Sequence, residues 1–272
     1  MVVDARRGIA VPTISAGRSG CGNGAEFSVC PGRGVPVERM SRELFGEDSP
    51  SSPELGRYRL ALAAHTTDKG LLENSSSGAV MPAIALFLLE KGLIDGATCV
   101  RFEPGPEGPI TVPFIARTRD DFIAAQGSKY CPTSTNLLVR TCRDEGGRYL
   151  FIGTPCQVGA LRLAIQEDSS LKDTFPYTMG NFCGGYRDFR YLNGMLKSCG
   201  VEPTEVVSFR FRGGGWPGAM RAETRDGRVV TQPYPHFQVF PVQHYNSNLH
   251  RPARAVSCPP LPPRADLQCL FI

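Results

Sequence analysis

Hydrophobic positions predict strands and helices in alternation through the middle of the chain. RYLFIG (148–153) is an apolar run without polar alternation, which is typical of a central strand covered on both faces. It leads directly into the amphipathic segment TPCQVGALRLAIQ (154–166). YTMGNFC (177–183) repeats the strand and FRYLNGMLKSCG (189–200) repeats the helix. This alternation predicts an α/β core with parallel strands.

The segment before this core predicts a helix with defined ends. MPAIALFLLEKG (81–92) is strongly apolar, and Ser75 to Ser77 supply possible N-caps before it. Pro82 falls in the first turn, where its missing N–H costs little, and Gly92 suits the C-terminal end. RLALAA (59–64) fits either a strand or a short helix.

The segments after this helix also have regular patterns. GATCVRF (96–102) and ITVPFIA (110–116) are predicted to be strands, and TRDDFIAAQG (118–127) a short helix. Beyond residue 200 the pattern is of strands alone: EVVSFRF (205–211), then AMRAETRDGRVVTQ (219–232) with Asp226-Gly227 as a hairpin turn. The fold class is therefore α/β, a parallel-strand sheet core with helices followed by a smaller β-rich portion.

Composition divides the chain into four parts. Residues 1–56 are rich in Gly, Ser, Pro and charge and predict an irregular N-terminal arm. Residues 57–200 form the α/β core, and residues 201–249 the β-rich segment. Residues 250–272 form a proline-rich tail with neither a helical nor a strand period of hydrophobic positions.

Charge and hydropathy exclude several classes of function. The net charge is +4, and the basic residues are scattered, which argues against a nucleic-acid partner. The longest apolar stretch, residues 83–89, is far short of the roughly 18 residues that a membrane span needs. The first residues lack the apolar run of a secretory signal, so we expect a cytoplasmic protein. Its ten cysteines are then metal ligands, redox groups or packing residues rather than a disulfide framework.

Two cysteines follow neighbouring strands of the predicted core. Cys156 follows Gly153 and Thr154 at the start of a helix, where free N–H groups and the helix dipole favour a thiolate. Cys183 follows the next strand in NFCGG. Since parallel strands end at one edge of a sheet, we expect both at a shared site. The alternatives are a buried packing cysteine, or a Cys156 nucleophile, which needs a general base within reach.

Two loops are candidates for binding an anion at the same edge. The turn at Ser75, Ser76, Ser77 and Gly78 offers backbone N–H groups before a helix. The loop at Gly127, Ser128, Lys129 and Tyr130 adds a cation and an aromatic ring. The alternative interpretations are a plain helix cap and an exposed loop.

Close to the N-terminus, Cys21 and Cys30 suggest the remnant of a ferredoxin-like motif. An iron–sulfur cluster needs about four ligands, so this motif is incomplete on its own. Cys99, Cys131, Cys142 and Cys199 have no partner at ligand spacing, and we expect packing or surface thiols.

Taken in order, these segments resemble the coenzyme F420 hydrogenase/dehydrogenase beta-subunit family, which includes the plant 7-hydroxymethyl chlorophyll reductases. FIGTPCQVGALR and the serine–glycine turn before LLEKGLIDG are specific when they occur together in this order. The other matching segments are CPGRGV, GSKYCP, NFCGG, FRFRGGGWPG and TRDGRVV.

The resemblance implies a flavoprotein that carries FAD and a 4Fe–4S cluster. Such a protein passes electrons between a reduced coenzyme, a deazaflavin or similar carrier, and an iron–sulfur partner. FAD would contact the two loops together with Thr154 and Gln157, and Cys156 and Cys183 would bind the cluster, with Cys21 and Cys30 as weaker candidates. No catalytic side chain is assigned. The alternatives are a non-catalytic remnant of the family and a Cys156 thiol enzyme.

Three departures from the family pattern stand out. Ser77-Gly78 replaces a double glycine, and the N-terminal motif lacks its inner cysteines. After Arg254 the chain continues as AVSCPPLPPRADLQCLFI, where the family continues with a Cys-x-x-Cys-Pro-Asp segment. This change indicates a frameshifted or truncated end, so Cys258 and Cys269 are not predicted ligands. We therefore expect weak flavin binding and an incomplete or lost cluster.

Overall fold

The computed structural model describes residues 2–4, 6–11, 28–52, 56–183 and 185–234. Its strands are β1 (Val2–Asp4), β2 (Ile9–Val11), β3 (Ser51–Ser52), β4 (Gly56–Arg57), β5 (Gly96–Glu103), β6 (Ile110–Ala116), β7 (Tyr149–Gly153), β8 (Tyr177–Gly180), β9 (Val206–Arg210), β10 (Ala219–Thr224) and β11 (Val229–Pro233). Its helices are α1 (Val37–Phe45), α2 (Lys69–Glu73), α3 (Val80–Glu90), α4 (Arg119–Ala125), α5 (Val139–Glu145), α6 (Pro155–Glu167), α7 (Leu171–Thr174) and α8 (Phe189–Ser198). Three short 3-10 turns cover Pro31–Arg33, Thr135–Leu138 and Pro203–Glu205.

The central sheet has four strands in the order β6-β5-β7-β8. β5, β7 and β8 are parallel, which confirms the predicted α/β core, and β6 pairs with β5 as an antiparallel edge strand. Leu150 and Phe151 in the middle of β7 are fully buried, as the unbroken apolar run predicts. The carboxyl ends of β7 and β8 lie side by side, because Gly153 pairs with Gly180.

Helix α3 ends where the sequence predicts, but it begins differently. Gly92 has a φ of +64°, and Leu93 N donates to Leu88 O at 2.9 Å, which closes the helix. At the start, the N-cap position is Ala79 in the left-handed conformation with a φ of +55°. The predicted serine N-caps are wrong, because Ala79 separates the serine turn from the helix.

Two segments near the N-terminus differ from the expectations. Within the predicted irregular arm, α1 forms without burying any residue. It carries the exposed pairs Arg42–Glu38 at 2.9 Å and Arg39–Glu43 at 3.8 Å. Its apolar residues Val37, Met40 and Leu44 recur at helical spacing, so the prediction of an irregular arm is wrong for this segment. RLALAA (59–64) forms neither a strand nor a helix, and its two leucines are exposed.

The second sheet is antiparallel, in the order β11-β10-β9. The predicted hairpin turn is confirmed, since Gly227 has a φ of +83° between β10 and β11. Helix α8 packs on this sheet through a shared apolar cluster that includes Leu192, Leu196 and Met220. The two sheets meet where Phe102 of β5 contacts Phe209 of β9, with ring centroids 5.0 Å apart. None of the helices described is long and apolar enough to span a membrane.

The backbone ladder between β5 and β7 is short. It pairs Gly96 with Tyr149 and Ala97 with Leu150. At the next position along β5, the Thr98 hydroxyl takes the place of the backbone hydrogen bonds to β7. Its Oγ1 donates to Ile152 O at 3.2 Å and accepts from Ile152 N at 2.9 Å. A cleft opens between the two strands beyond this point.

Replacing Thr98 by valine should therefore destabilise the fold. Valine keeps the shape but leaves the buried Ile152 N–H and carbonyl without this partner, which costs about 1–3 kcal/mol. Urea denaturation of Thr98→Val against the parent protein measures the loss. Thr231→Val is the matched control, because Thr231 is exposed on β11. Equal midpoints for the two variants would contradict a bridging role for Thr98.

Candidate functional site

The cleft lies at the carboxyl edge of the central sheet and has an interior volume of about 200 Å³. One side is formed by Thr98, Cys99 and Val100 of β5, and the other by residues 152–154 at the end of β7. The start of α3 and the residues from Phe122 to Lys129 complete it. A crevice at the carboxyl ends of strands is where open α/β sheets bind ligands.

The lining is an apolar surface with a polar rim. The apolar part comes from Ala79, Met81, Pro82, Val100, Phe122, Ala125 and Ile152. Among the described lining residues Lys129 is the only charged one, and none is a carboxylate. This distribution suits a flat, largely apolar ligand that carries negative charge.

The ammonium group of Lys129 is held by the end of α4. Nζ donates to Ala125 O, to Gln126 O at 2.8 Å and to Gly127 O at 3.0 Å. Burial lowers the pKa of Lys129 to about 8. The sequence predicts a cation at this position, and the structure places it in the cleft wall. Its three N–H groups are directed to these carbonyls, so Lys129 contributes positive charge to the cleft wall rather than a free donor.

Cys99 lies in the cleft wall close to Lys129. Its side chain is buried, and burial raises the pKa of this thiol to about 12. It is therefore a neutral packing group at ordinary pH, in line with the expectation for cysteines without ligand spacing.

The serine turn and the loop at residues 127–130 meet in the cleft wall. Ser76 Oγ accepts a hydrogen bond from Ser128 N at 2.9 Å. Ser75 Oγ donates to Ser77 O and accepts from Ser77 N at 3.2 Å, which holds the turn closed. The structure thus places Ser75, Ser76, Gly127, Ser128 and Lys129 along one wall.

Three predicted members of this site lie outside the lining. Gly78 faces another segment: a Cβ there would lie 2.5 Å from Ala64 O, and Gly78 O accepts from Thr66 N at 2.8 Å. The close backbone approach to Ala64 therefore requires glycine at this position. The Tyr130 ring packs on Phe211, with centroids 5.1 Å apart. Ser77 Oγ is buried and has no hydrogen-bond partner among the described residues.

Thr154 and Gln157 line the cleft and also fix the start of α6. Thr154 N donates to Gln157 Oε1 at 2.9 Å as part of a capping box, with Pro155 at the first helical position. Gln157 Nε2 donates to Thr133 O at 2.7 Å. The Gln157 amide therefore connects α6 to the neighbouring loop.

The predicted cluster cysteines do not line the cleft. Cys156 lies in the first turn of α6, with Sγ 3.3 Å from Thr154 Oγ1, and Cys183 Sγ lies 3.8 Å from Gly185 O. Cys30 precedes the 3-10 turn Pro31–Arg33, and Cys21 lies outside the described residues. Within the described part of the chain no three His, Cys, Asp or Glu side chains form a set that could bind a metal ion. Cys156 makes no hydrogen bond to a histidine or a carboxylate among the residues described, so the structure identifies no general base for the thiol-enzyme alternative there.

Sequence reasoning missed two polar groups in the lining. Gln126 Nε2 donates to Leu71 O at 2.9 Å, but Gln126 Oε1 is buried and has no partner in the part of the chain described. Thr133 Oγ1 is likewise buried and has no hydrogen-bond partner among the described residues. Gln126 directly follows α4, at the end of a predicted helix, and Thr133 lies in an irregular segment, so no sequence pattern indicates that their polar atoms are buried and unpaired. A buried polar atom that lacks a hydrogen bond is costly, and a ligand that supplies one removes the cost.

Two family models match the chain. The first describes the N-terminal part of the "Coenzyme F420 hydrogenase/dehydrogenase, beta subunit" and matches residues 61–140. The second describes the carboxy-terminal part of the same family and matches residues 146–259. Together they cover the central sheet, the cleft and the antiparallel sheet.

Individual relatives agree with these matches. The coenzyme F420 hydrogenase subunit beta of Methanosarcina barkeri is 29% identical over 192 residues, 66% of this chain and 62% of that protein. The chloroplastic 7-hydroxymethyl chlorophyll a reductase of Oryza sativa is 32% identical over 52% of this chain and 29% of that protein. The chain thus spans less than two thirds of either relative.

A solved structure shares the fold. It is a chain of the F420-reducing NiFe hydrogenase complex from Methanosarcina barkeri, with a TM-score of 0.54 and 23% identity. The match covers 73% of this chain and 67% of that chain.

The unpartnered hydroxyl of Ser77 generates a stability prediction. Ser77→Ala removes a buried polar atom that makes no hydrogen bond to a described residue, so the ligand-free protein should gain up to about 1 kcal/mol. Ser75→Ala is the matched comparison, because it removes both hydrogen bonds that close the turn and should destabilise. Thermal unfolding of both variants checks the ordering. A lower melting temperature for Ser77→Ala would show that this hydroxyl has a partner.

Proposed function

Because the chain belongs to the coenzyme F420 hydrogenase/dehydrogenase beta-subunit family, we propose that it is an FAD-dependent electron-transfer subunit of an oxidoreductase. The observation that carries this proposal is the cleft between β5 and β7. It combines an apolar surface, one cation, no carboxylate among its described residues and two buried polar atoms without partners there.

These residues fit a flavin. The cleft interior of about 200 Å³ is small against the roughly 300–1,000 Å³ of ordinary ligand pockets, so it suits the ring system and not the whole dinucleotide. The apolar residues would contact the faces of the ring. The negatively charged pyrophosphate would lie toward Lys129 and the serine turn, where the charge is favourable.

The side chains have distinct roles in this proposal. Gln126 Oε1 would accept a hydrogen bond from an N–H on the polar edge of the ring, and Thr133 Oγ1 would bond a neighbouring group. Ser76 and Ser128 would fix the wall beside it. Phe122 and Ile152 would exclude water from one part of the cleft. When bound, FAD would supply the exchange between two-electron hydride transfer and one-electron transfer.

The partners follow from the same family membership. We expect a deazaflavin such as coenzyme F420, or a similar reduced carrier, as one electron-transfer partner. An iron–sulfur protein or subunit would be the other. The relative in Methanosarcina barkeri belongs to a hydrogenase complex of this kind by its name.

The second cofactor in this proposal is an iron–sulfur cluster. Cys156 and Cys183 would each contribute a thiolate, with Cys30 and Cys21 as further candidates. The described residues alone do not form a complete set of about four ligands. We therefore assign no electron path through a cluster, and the alternative of a protein that has lost its cluster stays open.

FAD binding should depend on the charge of Lys129. Below about pH 8 the ammonium group is charged and attracts the anionic cofactor, and as pH rises through about 8 the charge is lost. The affinity for FAD should therefore be constant at lower pH and decrease at higher pH. Titration of the ligand-free protein with FAD, followed by flavin fluorescence, measures this profile.

Two variants accompany the titration. Lys129→Met should weaken FAD binding at pH 7 by about tenfold, a loss of about 1.4 kcal/mol, and should remove the decrease near pH 8. Lys129→Arg should retain affinity and shift the decrease to much higher pH, because guanidinium stays charged. Lys172→Met is the control, since Lys172 is exposed on α7. No FAD binding by a folded parent protein would contradict the proposed function.

The cysteines are tested by iron content. If Cys156 and Cys183 bind one cluster, changing either to serine should lower the iron per chain by a similar amount after anaerobic reconstitution. Cys142→Ser is the control, because Cys142 lies on α5 and is fully buried in an apolar cluster with Tyr149 and Leu161 rather than at the sheet edge. Equal iron in the parent protein and in both edge variants would rule out these ligands.

A further inference from the structure

Arg212 is a buried arginine without an acidic partner in the described structure. It follows β9 at the start of the glycine-rich segment 213–218, and it is 5% exposed. No described carboxylate lies within ion-pair distance of its guanidinium. Burying such a charge is costly unless polar groups surround it.

Three contacts surround the guanidinium. One Nη donates to Ser76 O at 2.8 Å, and Nε donates to Pro217 O at 2.7 Å. The face of the Tyr234 ring lies 4.1 Å from Cζ, which adds a cation–π interaction. Arg212 therefore connects its own loop to the serine turn, which is 136 residues away along the chain.

Ser76 extends this connection to the other loop of the cleft. Its carbonyl accepts from Arg212, and its hydroxyl accepts from Ser128 N at 2.9 Å. A Cβ on Gly127 would lie 3.3 Å from Arg212 O, so this loop also touches the Arg212 backbone directly. Three separate segments meet at Ser76.

We propose that Arg212 is a positioning residue for the cleft. Its guanidinium fixes the carbonyl of Ser76, and through Ser76 it fixes Ser128 in the wall against which an anionic ligand binds. The part of this inference that concerns ligand affinity rests on the proposed flavin function. The part that concerns the position of the wall does not.

The first test uses the ligand-free protein. Hydrogen exchange at the Ser128 amide should be at least about tenfold faster in Arg212→Met than in the parent protein, because its acceptor Ser76 loses a charge-assisted hydrogen bond. Arg212→Lys keeps the charge and one donor and should restore part of the protection. Arg148→Met is the matched control: Arg148 also donates from Nη to a carbonyl, Gly92 O at 2.7 Å, at the amino end of β7. Unchanged Ser128 exchange in Arg212→Met, or an equal increase in Arg148→Met, would overturn the proposal.

The second test measures FAD affinity in the same four proteins. Arg212→Met should bind FAD about tenfold more weakly, with Arg212→Lys between it and the parent and Arg148→Met equal to the parent. Trp216, the only tryptophan in the chain, lies on the Arg212 loop, and its fluorescence reports whether the loop moves. Failure of the parent protein to bind FAD would refute the proposed function, and the exchange measurement would still decide the role of Arg212. FAD affinity unchanged in Arg212→Met would refute its effect on the ligand.

Discussion

The hydroxyl of Thr98 sets the geometry on which the candidate site depends. Two neighbouring parallel strands normally form backbone hydrogen bonds until one of them ends, and strands paired in this way leave no room for a ligand between them. Here the ladder of β5 and β7 stops after two residue pairs, and Thr98 Oγ1 satisfies both backbone groups of Ile152. The strands can then separate without leaving buried N–H and carbonyl groups unpaired. The cleft occupies the space that this arrangement leaves.

β5 belongs to the central sheet and also packs against the antiparallel sheet, and these contacts determine the position of the cleft. Its first residues pair with β7, its whole length pairs with β6, and Phe102 near its end packs against Phe209 of the second sheet. The antiparallel sheet thereby places Arg212, which follows β9, beside the serine turn. A wall made of segments far apart in sequence is thus held by strand pairing, one aromatic contact and a few hydrogen bonds.

The charges in this region agree with an anionic ligand. The Lys129 ammonium group and the Arg212 guanidinium are both held by backbone carbonyls rather than by carboxylates. Their positive charge is therefore not neutralised by a described acidic neighbour. A binding site for pyrophosphate or another anion benefits from such charges, because the cost of burying them is already met during folding.

Much of this fold could be predicted from the sequence. The apolar run of β7 is a strong signal because the strand is packed in the core, where Leu150 and Phe151 are fully buried. The helical spacing of Val37, Met40 and Leu44 in α1 lies within a segment rich in Gly, Ser, Pro and charge, and that composition led to the prediction of an irregular arm. At the site, the neighbouring strand ends and the two loops were predicted. Gln126 and Thr133 were not, because what distinguishes them is a buried polar atom without a hydrogen bond, and only the structure shows this. The close approach of the Gly78 backbone to Ala64 was not predicted either, because it is a tertiary contact that no local sequence pattern indicates.

The most direct test of this account is an experimental structure of the chain with FAD bound. We expect the ring system against the apolar wall that Val100, Phe122 and Ile152 form, with the pyrophosphate toward Lys129 and Ser76. A ring bound elsewhere, for example against the antiparallel sheet, would contradict the assignment of this cleft as the flavin site.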